Sequence, residues 1–183
     1  MELIVDSALS FAEAVAGSAA PKEIIDALEL IDVDYHSFDE RLHRGQLLVH
    51  RSVATETREI FTELLSLSFP ILKVVPIVHY DWNDDASMED NNSSAFNYRT
   101  VFGTDTLSNH SFGLAIDINP FLNPYEQSDG KIVPTGSVYD VTRPGTFLPE
   151  SASVRAFTAR GWDWGGFWTR KDWQHFAKPT RKS

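Results

Sequence analysis

Acidic and apolar positions interleave along LELIDVDYHSF, with Leu30, Val33 and Tyr35 on the apolar side and a stop at Asp39 and Glu40. That pattern predicts a half-buried strand. GQLLVH, residues 45–50, reads as a second apolar strand entered through Gly45. The spacing then changes. From Val53 to Leu67 the apolar residues Ile60, Leu64, Leu65 and Leu67 recur at helical intervals, and TETREIFTELL supplies a polar face. Phe69-Pro70 ends that helix, and ILKVVPIVHY is expected to return as a strand with Pro76 near its end. Upstream, residues 1–20 are weakly patterned, a helix or a frayed arm, and Pro21 before KEIIDALEL predicts a short helix with proline in its first turn.

The second half is less regular. Residues 81–97 are crowded with Asn, Asp and Ser and predict a long loop. Residues 119–149 contain five prolines and the turn glycines Gly130 and Gly136, which predicts another long surface loop. SASVRAFTARG reads as a helix capped by Ser151 and stopped at Gly161. WDWGGFW and DWQHF are expected to close the fold as short strands. With no repeat and no βαβ alternation, the chain is expected to be an α+β domain. A small, mainly antiparallel sheet would be flanked by helices, with long loops around a cleft. Residues 1–29 would be an N-terminal arm or helices, 30–178 the domain proper, and 179–183 a basic tail.

Composition narrows the possibilities. At 183 residues, 42% of them hydrophobic, one domain can bury a proper core. No run of about 18 apolar residues occurs, so no membrane span is expected. Cysteine is absent, which removes disulfides and thiolate chemistry; any metal must be held by nitrogen and oxygen. A net charge of -10 argues against a nucleic-acid partner, which would require a basic face. The basic residues of 178–182 read as a solvated tail. The N-terminal Ala-Gly-Ser-Ala-Ala stretch resembles a cleavage site, but a positive n-region is lacking and Glu2, Asp6 and Glu13 interrupt any apolar stretch, so no clear signal peptide is read.

The chemistry-bearing pattern is His110, six residues, Asp117, and far downstream Asp172-Trp173-Gln174-His175. It supplies two imidazoles and one carboxylate as metal ligands, with a second carboxylate beside the last imidazole. Zinc hydrolases keep three protein ligands and leave the fourth position to water. An acidic group next to that water can move protons. In GLAIDI, period-two geometry sends Leu114, Ile116 and Ile118 to one face and Gly113, Ala115 and Asp117 to the other. The second face would leave room in front of Asp117, as the floor of a ligand site. In DWQHF, an extended segment would put Trp173 and His175 on one face, whereas a helical turn would put Asp172 and His175 together. Both permit the site.

SNHSFGLAIDIN followed by WGGFW and KDWQHF resembles the VanY-like D-alanyl-D-alanine carboxypeptidase and L-alanyl-D-glutamate peptidase family of zinc peptidases. That family's pattern is Ser-x-His-x6-Asp with a distal Asp/Glu-x-x-His. DYHSFDERLHRGQLLVH and DDASMEDNNSSAFNYR are also similar to it, extending the resemblance over most of residues 30–177. The resemblance implies a hedgehog-like zinc peptidase fold, with 30–178 the catalytic domain and His110, Asp117 and His175 holding one zinc ion. It implies Asp172 as general base and Arg99, ending AFNYR, as the residue that binds substrate or steadies the oxyanion. Some relatives have Glu at the base position, so the shorter Asp172 must be brought closer by its loop. The implied substrate is a peptidoglycan stem peptide or a D-Ala-terminated peptide, cut by a monomer in the cell envelope or outside the cell.

Two rivals differ in class. A non-haem Fe(II) oxygenase also uses two histidines and a carboxylate, but usually two residues apart on one strand, against seven here. A non-catalytic zinc-containing binding module could share the scaffold; Asp172 argues for catalysis. His36, His43, His50 and His79 lack ligand spacing and read as packing or surface residues, while Trp162, Trp164 and Trp168 are expected to line a substrate groove.

Overall fold

The computed structural model describes residues 3–179. Residues 180–183 of the expected basic tail lie outside the described residues. The strand read over LELIDVDYHSF ends two residues early, and the one read over GQLLVH is longer than its signal: β2 (Leu28–His36) pairs antiparallel with β3 (Leu42–His50) in unbroken register, from Leu28 opposite His50 to His36 opposite Leu42. β3 therefore starts ahead of Gly45. β1 (Ile4–Val5) adds to the free edge of β3 in parallel, giving the order β1-β3-β2.

Register decides which side chains go inside. Ile31 faces Leu47, and Val33, Tyr35 and Val49 lie on the same face. The helix α3 (Ala54–Ser66) packs Ile60, Phe61 and Leu64 into a shared core with them. The opposite face of the sheet is covered too. Leu28, Leu30 and Leu48 pack against Leu9, Ala14, Ile24 and Ile25 from α1 (Phe11–Ala14), α2 (Lys22–Ile25) and their flanks. Ser10 and Glu13 form a capping box on α1.

Two expectations are corrected in the middle of the chain. ILKVVPIVHY is not one strand: only β4 (Lys73–Val74) is extended, and Pro76 starts a 3-10 turn over Ile77–Tyr80. Proline lacks the N–H that a continuing ladder needs. Nor are residues 81–97 one loop. Asn83 Oδ1 accepts the Ala86 N–H at 3.0 Å and starts α4 (Asp84–Glu89), followed by β5 (Asn92–Ser93) parallel to β4. Asn, Asp and Ser favour caps as much as turns, so their crowding concealed a helix start.

The second sheet carries the chemistry. β6 (Ala115–Asp117) pairs antiparallel with β10 (His175–Ala177), which pairs with β9 (Asp163–Trp164). Between them lie the hairpin of β7 (Tyr125–Glu126) and β8 (Ile132–Val133), and α5 (Ala152–Thr158), with Ser151 capping the Val154 N–H as expected. Most strand pairs are antiparallel, and the α+β reading holds. Phe157 and Phe176 stack at 3.9 Å in the core beside Phe147, Trp162 and Trp164.

Residues 119–149 are not purely surface. Asn123 is fully buried; its Nδ2 donates to the Gly145 carbonyl at 2.9 Å and its Oδ1 accepts the Phe147 N–H at 2.8 Å. Asn119 likewise ties Leu72, Pro70 and Gly145 together. Replacing Asn123 by Ala leaves the buried Phe147 N–H unpaired, costing about 1–3 kcal/mol, while the Gly145 carbonyl keeps the Asn119 amide. The thermal midpoint is expected to fall by several degrees, about 2–4 °C per kcal/mol at this size. A midpoint unchanged in calorimetry would show that Asn123 does not hold the loop.

Candidate metal centre and its cleft

The antiparallel register sets Asp117 on β6 directly opposite His175 on β10. Opposed residues project to the same face, so a strand pair alone joins two groups 58 residues apart in sequence. His110 comes from the 3-10 turn Asn109–Phe112 just before β6. Ser108 caps that turn by accepting the His110 N–H, and Gly113 ends it in the left-handed region at φ 65°.

All three side chains are buried, and their ligand atoms lie within 4.8 Å of one another. His110 Nε2 is 3.0 Å from Asp117 Oδ2, His175 Nδ1 is 2.9 Å from Asp117 Oδ1, and the two ring nitrogens are 3.2 Å apart. His110 Nδ1 lies 2.5 Å from the Ala95 carbonyl oxygen. A carbonyl only accepts, so Nδ1 carries the proton and Nε2 of the neutral ring presents its lone pair to the centre. Zinc–nitrogen bonds of about 2.0–2.1 Å in a tetrahedron separate ligand atoms by about 3.3 Å. The observed spacings fit such an ion, and the Ala95 carbonyl supplies the outer hydrogen bond that orients a ligating histidine. Burial by itself would raise the Asp117 carboxyl, but His110 and His175 outweigh it and hold the group far below the usual carboxylate range. It is an anion set for a cation.

The centre opens into a cleft of about 540 Å³ whose walls include Asp84, Arg99, Tyr125, Trp168, Asp172 and Gln174. Asp172 stands in a bridge to Tyr125, and a turn closed by the His175 N–H on the Asp172 carbonyl carries the chain from it into β10. Of the two conformations open for DWQHF, the turn is found at Asp172–Gln174 and the strand only from His175. Trp173 points away and stacks on Tyr139 at 4.1 Å. Asp172 Oδ1 is enclosed with no hydrogen-bond partner. Burial pushes its carboxyl up to about 7; His175 and Arg99 pull against that shift and Asp117 and Asp84 add to it.

Gly165 places Asp172. A Cβ on Gly165 would lie 2.4 Å from the Asp172 carbonyl oxygen and 2.9 Å from its Cβ. Gly165 thus admits the Asp172 backbone at close range. Gly165→Ala is expected to push Asp172 out of position, so that any turnover that depends on this carboxyl falls by about a hundredfold while any bound metal is retained. Full turnover by that variant would remove Gly165 from this role.

Arg99 lines the cleft, but its Nη2 sits 2.9 Å from Asp84 Oδ2, so it is paired with an acidic residue of the 81–90 segment. Its Nε is buried without a partner. Its backbone carbonyl accepts from Ser108 N–H and Ser111 Oγ, which locks it to the turn that carries His110.

Three sequence expectations are corrected here. Trp162 and Trp164 are core residues at 2% and 1% exposure, and only Trp168 reaches the cleft, 5.4 Å from the His175 ring. Gly113 does not open space before Asp117: a Cβ there would meet the His50 backbone nitrogen at 2.5 Å, so the glycine admits β3. Ala115 is buried opposite Ala177. The remaining histidines stay away from the cleft, His43 between Asp6 and Asp39 and His50 capping the turn Arg51–Val53. Asp84 and Gln174 were missed as wall residues; the Asn83 cap signal could have located Asp84, and nothing local marked Gln174.

Residues 102–178 match the family model described as D-alanyl-D-alanine carboxypeptidase. The resemblance read from the motifs therefore extends over the segment containing His110, Asp117, Asp172 and His175, which is similar to that family. Arg99 lies just outside it. No curated protein and no solved structure matches the chain.

Proposed function

We propose that this chain is a zinc peptidase that hydrolyses a peptide bond in peptidoglycan stem peptides, releasing a terminal D-alanine. The observation that carries this reading is the buried His110–Asp117–His175 group sharing one cleft with the unpartnered Asp172 carboxylate. When bound, zinc supplies Lewis acidity and makes water nucleophilic at neutral pH. Asp172 accepts the proton of the attacking water through its carboxylate and returns it to the leaving amine. Arg99 is the arginine of the cleft wall, and it steadies the substrate's carboxylate or developing oxyanion with its guanidinium. The His110 ring is kept in its ligating tautomer by Ala95. Such a substrate puts the protein's work in the cell envelope or outside the cell.

A second mode, cleavage of the internal L-Ala-D-Glu bond, is favoured by one observation: Asp84 already neutralises Arg99, which weakens its pull on a terminal carboxylate. Incubation of the zinc-loaded protein with defined muropeptides, read by mass spectrometry, separates the modes. Free D-Ala supports the first, new amino termini within the stem support the second, and uncut peptides with zinc bound would leave a non-catalytic module.

A further inference from the structure

The sheet β1-β3-β2 ends on β2, whose outer edge pairs with no other strand among the described residues. Register shows which backbone groups face that edge. The Arg44 and Leu48 carbonyls accept the Asp6 and Phe96 N–H groups at 2.8 Å and 3.1 Å, so the even-numbered residues of β3 turn away from β2. Arg44 lies opposite Asp34 and Leu48 opposite Leu30, so the even-numbered residues of β2 turn outward in the same way. His36 agrees, its carbonyl accepting the Ile71 N–H at 2.9 Å. The backbone N–H and C=O groups of Leu30, Asp32 and Asp34 therefore face outward and bond to nothing among the described residues. A row of such groups is a template for another strand.

The edge lies in a groove of about 710 Å³. Leu9, Phe11 and Ile25 wall it on the side of α1 and α2, and Arg58 of α3 on the other. Its charges are graded along β2. Arg58 is spent on Glu29 at 2.7 Å, and Arg44 on Asp34 at 2.7 Å. Asp32 is exposed and takes the Gln46 amide at 3.1 Å, with no cation paired to it among the described residues. At the Leu28 end Arg51 is exposed; its guanidinium donates to the Asp26 carbonyl and pairs with no carboxylate among the described residues. Leu30 lies between these two free charges. A second copy of β2 is a poor occupant: its own open stretch offers Leu30, Asp32 and Asp34, setting Asp32 against a leucine or another aspartate.

We propose that the open edge of β2 is a docking groove for an extended segment of another protein, added antiparallel as a fourth strand. On one face that segment carries a basic residue opposite Asp32, an apolar residue opposite Leu30 and an acidic residue beside Arg51, at alternate positions. No residue of the groove lines the metal cleft, so the proposal is independent of the peptidase reading.

The probe is a capped synthetic peptide containing Lys-Thr-Val-Thr-Glu, titrated into the isotope-labelled full chain and followed by amide NMR and hydrogen exchange. The amides of Leu30, Asp32 and Asp34 are expected to shift and to gain protection. Replacing the peptide's lysine by glutamate should weaken binding about fivefold, and Asp32→Asn, an exposed change, should shrink that gap to under about twofold. Methylating the valine nitrogen, which faces β2 in this register, should abolish binding, whereas methylating the nitrogen of either threonine beside it, which faces away, should be tolerated. Unmoved β2 amides, equal binding of the lysine and glutamate peptides, or equal tolerance of the two methylations overturns the groove. A mass that doubles with concentration in the protein alone, with the same amides protected, would give the edge to a second copy and overturn the proposed partner.

Discussion

Asp172→Asn is expected to keep its metal and lose about 10²- to 10⁴-fold in kcat, the range removed with a general acid–base group. Asparagine matches aspartate in shape, and the backbone contacts that place the residue do not involve the carboxylate: Asp172 N–H donates to the Gly165 carbonyl at 3.2 Å. What disappears is the ability of the carboxylate to take a proton. The ligand set is untouched, so metal analysis of the variant separates loss of the base from loss of the ion. Full activity in Asp172→Asn would show that another group moves the proton.

The same residue predicts a pH signature. Burial raises its carboxyl to about 7 in the metal-free protein, above the roughly 3.9 of an unfolded chain. For a group whose folded value is raised, the stabilising contribution is complete below the unfolded value and is lost as pH rises through about 7. Metal-free parent protein is therefore expected to lose thermal stability relative to metal-free Asp172→Asn between about pH 4 and 8. Parallel stability curves would contradict the raised carboxyl. A cation bound beside Asp172 favours its anion, so in the loaded enzyme the acid limb of kcat/KM lies below this value and disappears in the variant.

His110→Ala is expected to abolish stable metal binding and with it all measurable turnover. His110 is one of the three groups proposed as ligands, 3.0 Å from Asp117 and 3.2 Å from His175. Even the loss of an outer-shell partner costs about 10- to 100-fold in metal affinity, so loss of a ligand costs more. Deletion of the ring also leaves the Ala95 carbonyl without its donor and a cavity at a site only 2% exposed. Metal analysis after dialysis is the decisive measurement, with thermal unfolding in added zinc as its companion, because an ion that no longer binds no longer stabilises. Retained zinc in His110→Ala would remove this residue from the ligand set.

The fold and centre were legible in the sequence to different depths. The strand over residues 28–36, the helix over 54–66 and the Ser151 cap each follow from local rules, periodicity in the first two and side-chain capping in the third. Residues 73–97 were misread because Pro76 ended a strand early and Asn83 began a helix within what looked like loop composition. The tryptophans near the site were misassigned because proximity in sequence says nothing about side: Trp162 and Trp164 face the aromatic core and Trp168 faces the cleft.

By itself the sequence determined the inventory of the centre. Two imidazoles and two carboxylates in the order His110, Asp117, Asp172, His175, with no cysteine to compete, restrict a metal to nitrogen and oxygen ligands and leave one acid over. Only the tertiary structure decided how those groups meet. The β6–β10 register sets Asp117 against His175, Ala95 fixes the His110 tautomer, and Gly165 admits the backbone of Asp172. Asp84 is taken by Arg99, and the Gln174 oxygen is left open. Each depends on contacts between segments far apart in the chain, and no local periodicity or propensity encodes them.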